Sequence, residues 1–256
     1  MEEPGGRGDG AGRNLTFSML EALGRDIVTG AYESRRFPTE AELAHSHGLS
    51  RSVTREAVKM LAAKGLLSAR PKIGTVVQPS DRWNLLDPDV LRWLLERQFS
   101  LDLLRQFSQL RLAIEPTAAA LAAQVRGSSE IEAIERGFAR MKAAAAGDDD
   151  VLEADIQFHI AILQATGNPF FRQFEELVRT ALHTSIQFTN RFSGRSANVP
   201  QHGEVLQAIR EGDGDHAQKV MYQLIDEVLE LIEQAQSDDS FADDGGSVIR
   251  STRLRP

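Results

Sequence analysis

Cysteine is absent from the 256 residues, which excludes disulfides, thiolate metal sites and catalytic thiols and suits a reducing cytoplasm. Missing too is any apolar run of the ~18 residues that a membrane-spanning helix needs. The start Met1-Glu2-Glu3-Pro4 leads into no signal-peptide core. The expectation is a cytoplasmic chain with no membrane partner. No internal repeat is visible, and strand patterning is confined to one short stretch around residue 70. Residues 1–13 are Gly-rich and poor in apolar side chains, and 237–256 carry Asp238-Asp239 and Asp243-Asp244-Gly245-Gly246. Both compositions predict disordered tails. The length between them suits two domains, placed at 14–79 and 97–236, with 80–96 as linker and connecting helix.

What is present near the N-terminus is a pair of capped helices around a tight turn. Thr39 and Glu42 form a capping box after Pro38, and His47-Gly48-Leu49 makes the turn. Ser50 then caps a second helix that carries Arg51 and Arg55. Leu43, Leu49, Val53, Ala57, Val58 and Leu61 are left as its buried seam. Arg51, Ser52, Thr54 and Arg55 are expected on or beside the outer face, where arginine can fork onto guanine or phosphate and hydroxyls can meet phosphate or base edges. Leu66 to Arg70 and Thr75 to Gln78 alternate like two strands, with Pro71-Lys72-Ile73-Gly74 as the tip. Helix, turn, helix and hairpin together predict a winged helix-turn-helix that reads a DNA major groove. Thr39, Lys72 and Gly74 join the four helix residues as expected DNA contacts. Between Asn14 and Pro79 the formal charge is roughly +3, whereas the whole chain carries −8. A basic island on an acidic protein is the asymmetry a DNA-binding module shows. The bland alternative is a small helical domain whose arginines are merely solvated.

From Ser80 to Gln236 the apolar periodicity is helical throughout, predicting an antiparallel all-helical bundle. Expected helices run from Pro88, from Ser100 to Val125 with a kink at Pro116, and from a Ser129–Glu132 capping box to about Ala146. Others run from about Asp150 to Thr166, from Pro169 to about Phe192, from about Pro200, and after Gly214. Asp155 and His159 lie at i and i+4, so they share a helix face inside an otherwise core-facing run. That pair can bind a divalent metal, or it can be a buried structural hydrogen bond.

Several motifs occur in order: Pro38-Thr39-Glu40-x-Glu42-Leu43-Ala44, Leu49-Ser50-Arg51-x-x-x-Arg55-Glu56-Ala57, Leu61-x-x-x-Gly65-Leu66 and Gly74-Thr75-x-Val77. With Gly30 before them, they resemble the GntR family of bacterial transcription regulators. The second half resembles its FadR-type group, whose effector domain is the all-helical FCD domain. Trp83-Asn84-Leu85-Leu86-Asp87-x-Asp89-Val90-Leu91-x-Trp93 is similar to the galactonate-operon repressors and related sugar-acid regulators of that group. One departure is Ala41, where many members carry an arginine.

The resemblance implies a homodimeric repressor on a palindromic double-stranded DNA operator, with a small carboxylate, such as a sugar acid, bound in the bundle. It implies a divalent metal (Zn, Ni or Mn) held by Asp155, His159 and His202, with Leu224 where the family has a fourth ligand. It also assigns Arg111 to clamp the effector carboxylate, with Asn190, Arg191 and Phe192 in the same cavity. An exposed Arg111–Glu115 ion pair is the alternative for Arg111. The alternative within the same class is an activator of another organic-acid pathway; readings from other classes are a metal-dependent hydrolase and a helical adaptor that binds protein.

Overall fold

The computed structural model describes residues 9–96, 100–125, 128–193 and 198–237. The chain divides into two compact units, Met1–Arg97 and Gln98–Pro256. None of the described helices is long and apolar enough to cross a membrane.

The first unit opens with α1 (Asp9–Val28), so residues 9–13, assigned to a tail by composition, continue the helix. Its apolar stripe of Met19, Leu20, Leu23, Ile27 and Val28 is fully buried. Next comes α2 (Glu40–His47) with the expected capping box: Thr39 Oγ1 accepts from Glu42 N, and Glu42 Oε2 accepts from Thr39 N at 2.8 Å. Gly48 ends the helix at φ 63°, a left-handed conformation that costs glycine no steric penalty. The chain then enters α3 (Arg51–Ala63), whose Val53 amide donates to Ser50 Oγ. Strands β1 (Leu67–Arg70) and β2 (Gly74–Val77) pair antiparallel, from Leu67 opposite Val77 to Arg70 opposite Gly74.

A 3-10 turn (Ser80–Arg82) leads to α4 (Pro88–Glu96). This stretch, expected to link the domains, is built into the core of the first. Trp93 is fully buried, and its ring lies so close to Gly24 that an added Cβ there would sit 2.3 Å away. Trp93 Nε1 donates to Glu21 Oε2 at 2.9 Å, and Arg92 pairs with the same carboxylate. Lys64, at the end of α3, reaches both Asp87 and Asp89 at 2.8 Å.

The second unit is helical among its described residues: α5 (Leu101–Val125), α6 (Ser128–Ala146), α7 (Val151–Ala165), α8 (Pro169–Arg172), α9 (Glu175–Ser193), α10 (Val199–Glu211) and α11 (Gly214–Ser237). The longest helices, α5 and α11, pack along each other, while α7 lies against α5, α6 and α9. Two expectations need correcting. Ser129 is inside α6 and its hydroxyl donates to the neighbouring Glu130, so no capping box with Glu132 forms. The helix expected from Pro169 to Phe192 is two helices, because Gln173 and Phe174 bond back three residues and tighten the turn between them. Pro116 is accommodated inside α5, where it is buried.

Candidate functional site

Two sites emerge, one in each unit. On the first, the N-terminus of α3 presents Arg51, Ser52 and Arg55 to solvent, with Thr39 exposed nearby. Arg51 has no ion-pair partner among the described residues, and Arg55 makes only a long 4.0 Å approach to Glu40. Ser52 Oγ lies 3.0 Å from Ser50 Oγ. Lys72 and Gly74 are exposed on the wing, Lys72 in the left-handed region at φ 65°. The α3 N-terminus therefore offers guanidinium groups, a hydroxyl and the positive end of a helix dipole, the chemistry that meets phosphates and base edges.

Thr54 does not belong to that face. It is fully buried and donates from Oγ1 to Ser50 O at 3.1 Å. Val53, expected in the seam, is only half-buried. The buried stripe of α3 is Thr54, Ala57, Val58 and Leu61, which is i, i+3, i+4, i+7. Apolar character alone pointed to Val53, but helical phase selects Thr54, whose hydroxyl is satisfied locally.

In the second unit, Asp155 and His159 from α7 meet His202 from α10, all three buried, with donor atoms within 4.8 Å of one another. His202 Nδ1 lies 2.7 Å from Asn198 O, an atom that can only accept, so that nitrogen carries the proton. His159 Nδ1 faces Glu115 Oε2. Burial pushes the Glu115 carboxyl up, but the charges of Arg111 and His159 outweigh it and hold it at about 2, so it too accepts. Both rings consequently turn Nε2 inward, 3.3 Å apart. Asp155 Oδ1 sits 2.9 Å from one Nε2 and 3.8 Å from the other. Burial pushes Asp155 up as well, and His202 and His159 bring it down to about 2.

Asp155 Oδ1 is fully buried without a properly directed hydrogen bond. With each ring neutral and its proton on Nδ1, the two Nε2 lone pairs and the Asp155 carboxylate oxygen converge, and a cation between them relieves their mutual repulsion. The residues thus fit a divalent cation, with imidazole nitrogens backed by outer hydrogen bonds as metal-bound histidines are. Leu224, buried on α11, supplies no ligand atom.

Glu115 is the residue that sequence reasoning cast only as the partner in an exposed pair. Arg111 and Glu115 are 3% and 1% exposed, and Arg111 Nε donates to Glu115 Oε1 at 2.6 Å. The remaining guanidinium N–H groups find no acceptor among the described residues. The i, i+4 spacing on α5 was the signal for the pair; the His159 contact came only from tertiary packing. Asn190, Arg191 and Phe192 fall on the last turns of α9, whose side chains lie outside the described residues. His183, His45 and His47 are exposed, and His216 pairs with Glu204 at 3.1 Å.

A winged helix-turn-helix with exposed arginines at the start of α3, followed by a helical domain with a buried polar centre, has the form of a DNA-binding transcription factor. Residues 18–77 match the model for bacterial regulatory proteins of the gntR family, and residues 106–227 match the FCD domain. The Escherichia coli (strain K12) galactonate operon transcriptional repressor is 35% identical over 217 residues, 83% of this chain and 94% of its own. The Uxu operon regulator of Haemophilus influenzae is 25% identical, covering 90% of this chain and 87% of its own. Among solved structures, one described as Lar, which controls the Listeria monocytogenes agr system, aligns with a TM-score of 0.60 at 18% identity. That alignment covers 86% of this chain and 97% of that one, and it supports the fold alone. The chain belongs to the GntR family, in the branch that carries an FCD domain. It is a transcriptional regulator rather than an enzyme, which sets the hydrolase alternative aside.

Proposed function

We propose that the protein is a cytoplasmic repressor of a sugar-acid catabolic operon, bound as a homodimer to a palindromic operator and released by a small carboxylate. The observation that carries the effector part is Arg111: a buried guanidinium whose Nη groups meet no acceptor among the described residues, one carboxylate away from the triad. Such a group suits bidentate recognition of a carboxylate. The names of the galactonate and uxu relatives support a sugar acid as its bearer. Asp155, His159 and His202 would hold one divalent cation (Zn, Ni or Mn), which when bound supplies Lewis-acid positions for effector oxygens. A single winged helix reads one half-site, so a palindrome requires two copies.

Release requires the effector to prefer the arrangement that does not bind DNA. D-galactonate and related acids should raise the melting temperature of the full chain and dissociate it from its own upstream DNA in a gel shift. His202→Ala should strip the metal found by elemental analysis of untreated protein. No stabilisation by any sugar acid would refute the effector, and no bound metal in untreated protein would refute the cation.

A further inference from the structure

We propose that Glu115 is the coupling residue of the helical unit, through which carboxylate binding at Arg111 and metal binding at the triad reinforce each other. The inference rests on the reading above, in which Arg111 takes the effector and the triad takes the cation. Its basis is one juxtaposition. A single buried carboxylate gives Oε1 to Arg111 Nε and Oε2 to His159 Nδ1. At 1% exposure no bulk water screens the charge, so the arginine and the imidazole compete for it directly.

The direction follows from the chemistry. A carboxylate accepting from Nδ1–H makes the opposite ring nitrogen a stronger metal ligand. His159 Nε2 is the nitrogen turned toward Asp155 and His202. Arg111 draws on the same negative charge and weakens that effect. An anion arriving on the Nη groups, which meet no acceptor among the described residues, takes over part of the arginine's demand and returns the charge to His159. Anion binding therefore tightens metal binding, and by linkage the metal tightens anion binding to the same degree. Glu115 is in this sense a positioning residue, acting on the metal through His159.

The test is calorimetric titration of the metal-free full chain with Zn2+, for the wild type, Glu115→Gln, Arg111→Met and the double variant. Losing the outer carboxylate should weaken Zn2+ binding about 10–100-fold. Arg111→Met should tighten it, the opposite of what a structural loss would do. In the Glu115→Gln background the same Arg111→Met change should have no effect, because the shared carboxylate is gone. Direct repulsion between Arg111 and the cation would survive there, so an equal gain in both backgrounds overturns the proposal.

Unchanged Zn2+ affinity in Glu115→Gln overturns it as well, while leaving the metal reading intact. A wild type that takes up no Zn2+ refutes the metal reading and the coupling with it. Glu115→Gln leaves Arg111 buried without a counter-charge and can fail to fold. In that case the double variant, which removes both charges, is compared with Arg111→Met: at least tenfold weaker binding supports the coupling, and equal binding ends it.

Discussion

Arg51 and Thr54 are three residues apart on α3 and have opposite roles. Arg51 is exposed and unpaired among the described residues, so Arg51→Ala should cost about 1–3 kcal/mol in operator affinity, read by gel shift at fixed salt, with the melting temperature unchanged. Thr54 is fully buried on Ser50 O. Thr54→Ala should lower stability by about 1–2 kcal/mol in urea unfolding, whereas Thr54→Val, which keeps the shape, should bind the operator nearly as the wild type does. If Thr54→Val lost affinity as Arg51→Ala does, the threonine would be a DNA contact after all. The exposure of the two arginines and Ser52 was legible in the sequence because charged and small polar side chains are seldom buried without partners. Thr54 was misplaced because hydropathy ranks it below Val53, while only the phase of the helix against its neighbours selects which of the two turns inward.

At the scale of elements, the informative case is α4. Its sequence predicts a helix from Pro88, and that helix is present. Nothing in its composition says that Trp93 inserts against Gly24 of α1 or that Lys64 is held between Asp87 and Asp89. Those contacts join residues about seventy and twenty positions apart, so no local pattern encodes them. Trp93→Ala should destabilise the first unit by about 3–5 kcal/mol, seen as an earlier transition in urea. Gly24→Ala should also destabilise it, since the new methyl would overlap the indole ring; a neutral Gly24→Ala would contradict this packing. The broken helix after Pro169 is a similar case: proline announces the start of α8, but the tightened turn at Gln173 and Phe174 carries no proline or glycine to mark it.

At the largest scale, each unit responds to pH through its own ion pairs, and in the first unit Glu21, Asp89 and Lys64 contribute to that response. Burial raises Glu21, but hydrogen bonds from Arg92 and Trp93 outweigh it and leave the carboxyl below its ordinary range. Asp89 is likewise raised by burial and brought down further by Lys64 and Arg92. A carboxyl depressed in the folded state contributes stability above its unfolded pKa of about 4 and loses it as pH falls through the folded value. Lys64 is lowered by burial and raised more strongly by Asp87 and Asp89, so its share is present below the ordinary lysine pKa and lost on further alkalinisation. The urea midpoint of the first unit should be flat around neutrality and fall below about pH 4. In Lys64→Met the alkaline part of the decline should be missing. An acid limb unaltered in Glu21→Gln would show that this carboxyl contributes nothing to it.

Sequence alone determined the capped helices, the wing and the family, because caps, turns and helical periodicity are local and the motifs stand in fixed order. It also placed Asp155 beside His159, since i, i+4 neighbours share a face on any helix. His202 entered only by resemblance, and Glu115 only as the partner of Arg111. Tertiary structure alone brought α5, α7 and α10 together, turned both Nε2 atoms toward Asp155 Oδ1, and set the buried carboxylate that Arg111 holds against a histidine forty-four positions further along the chain. The physical reason is that burial and long-range contact set the charge state and direction of these side chains, and neither property belongs to any short stretch of chain.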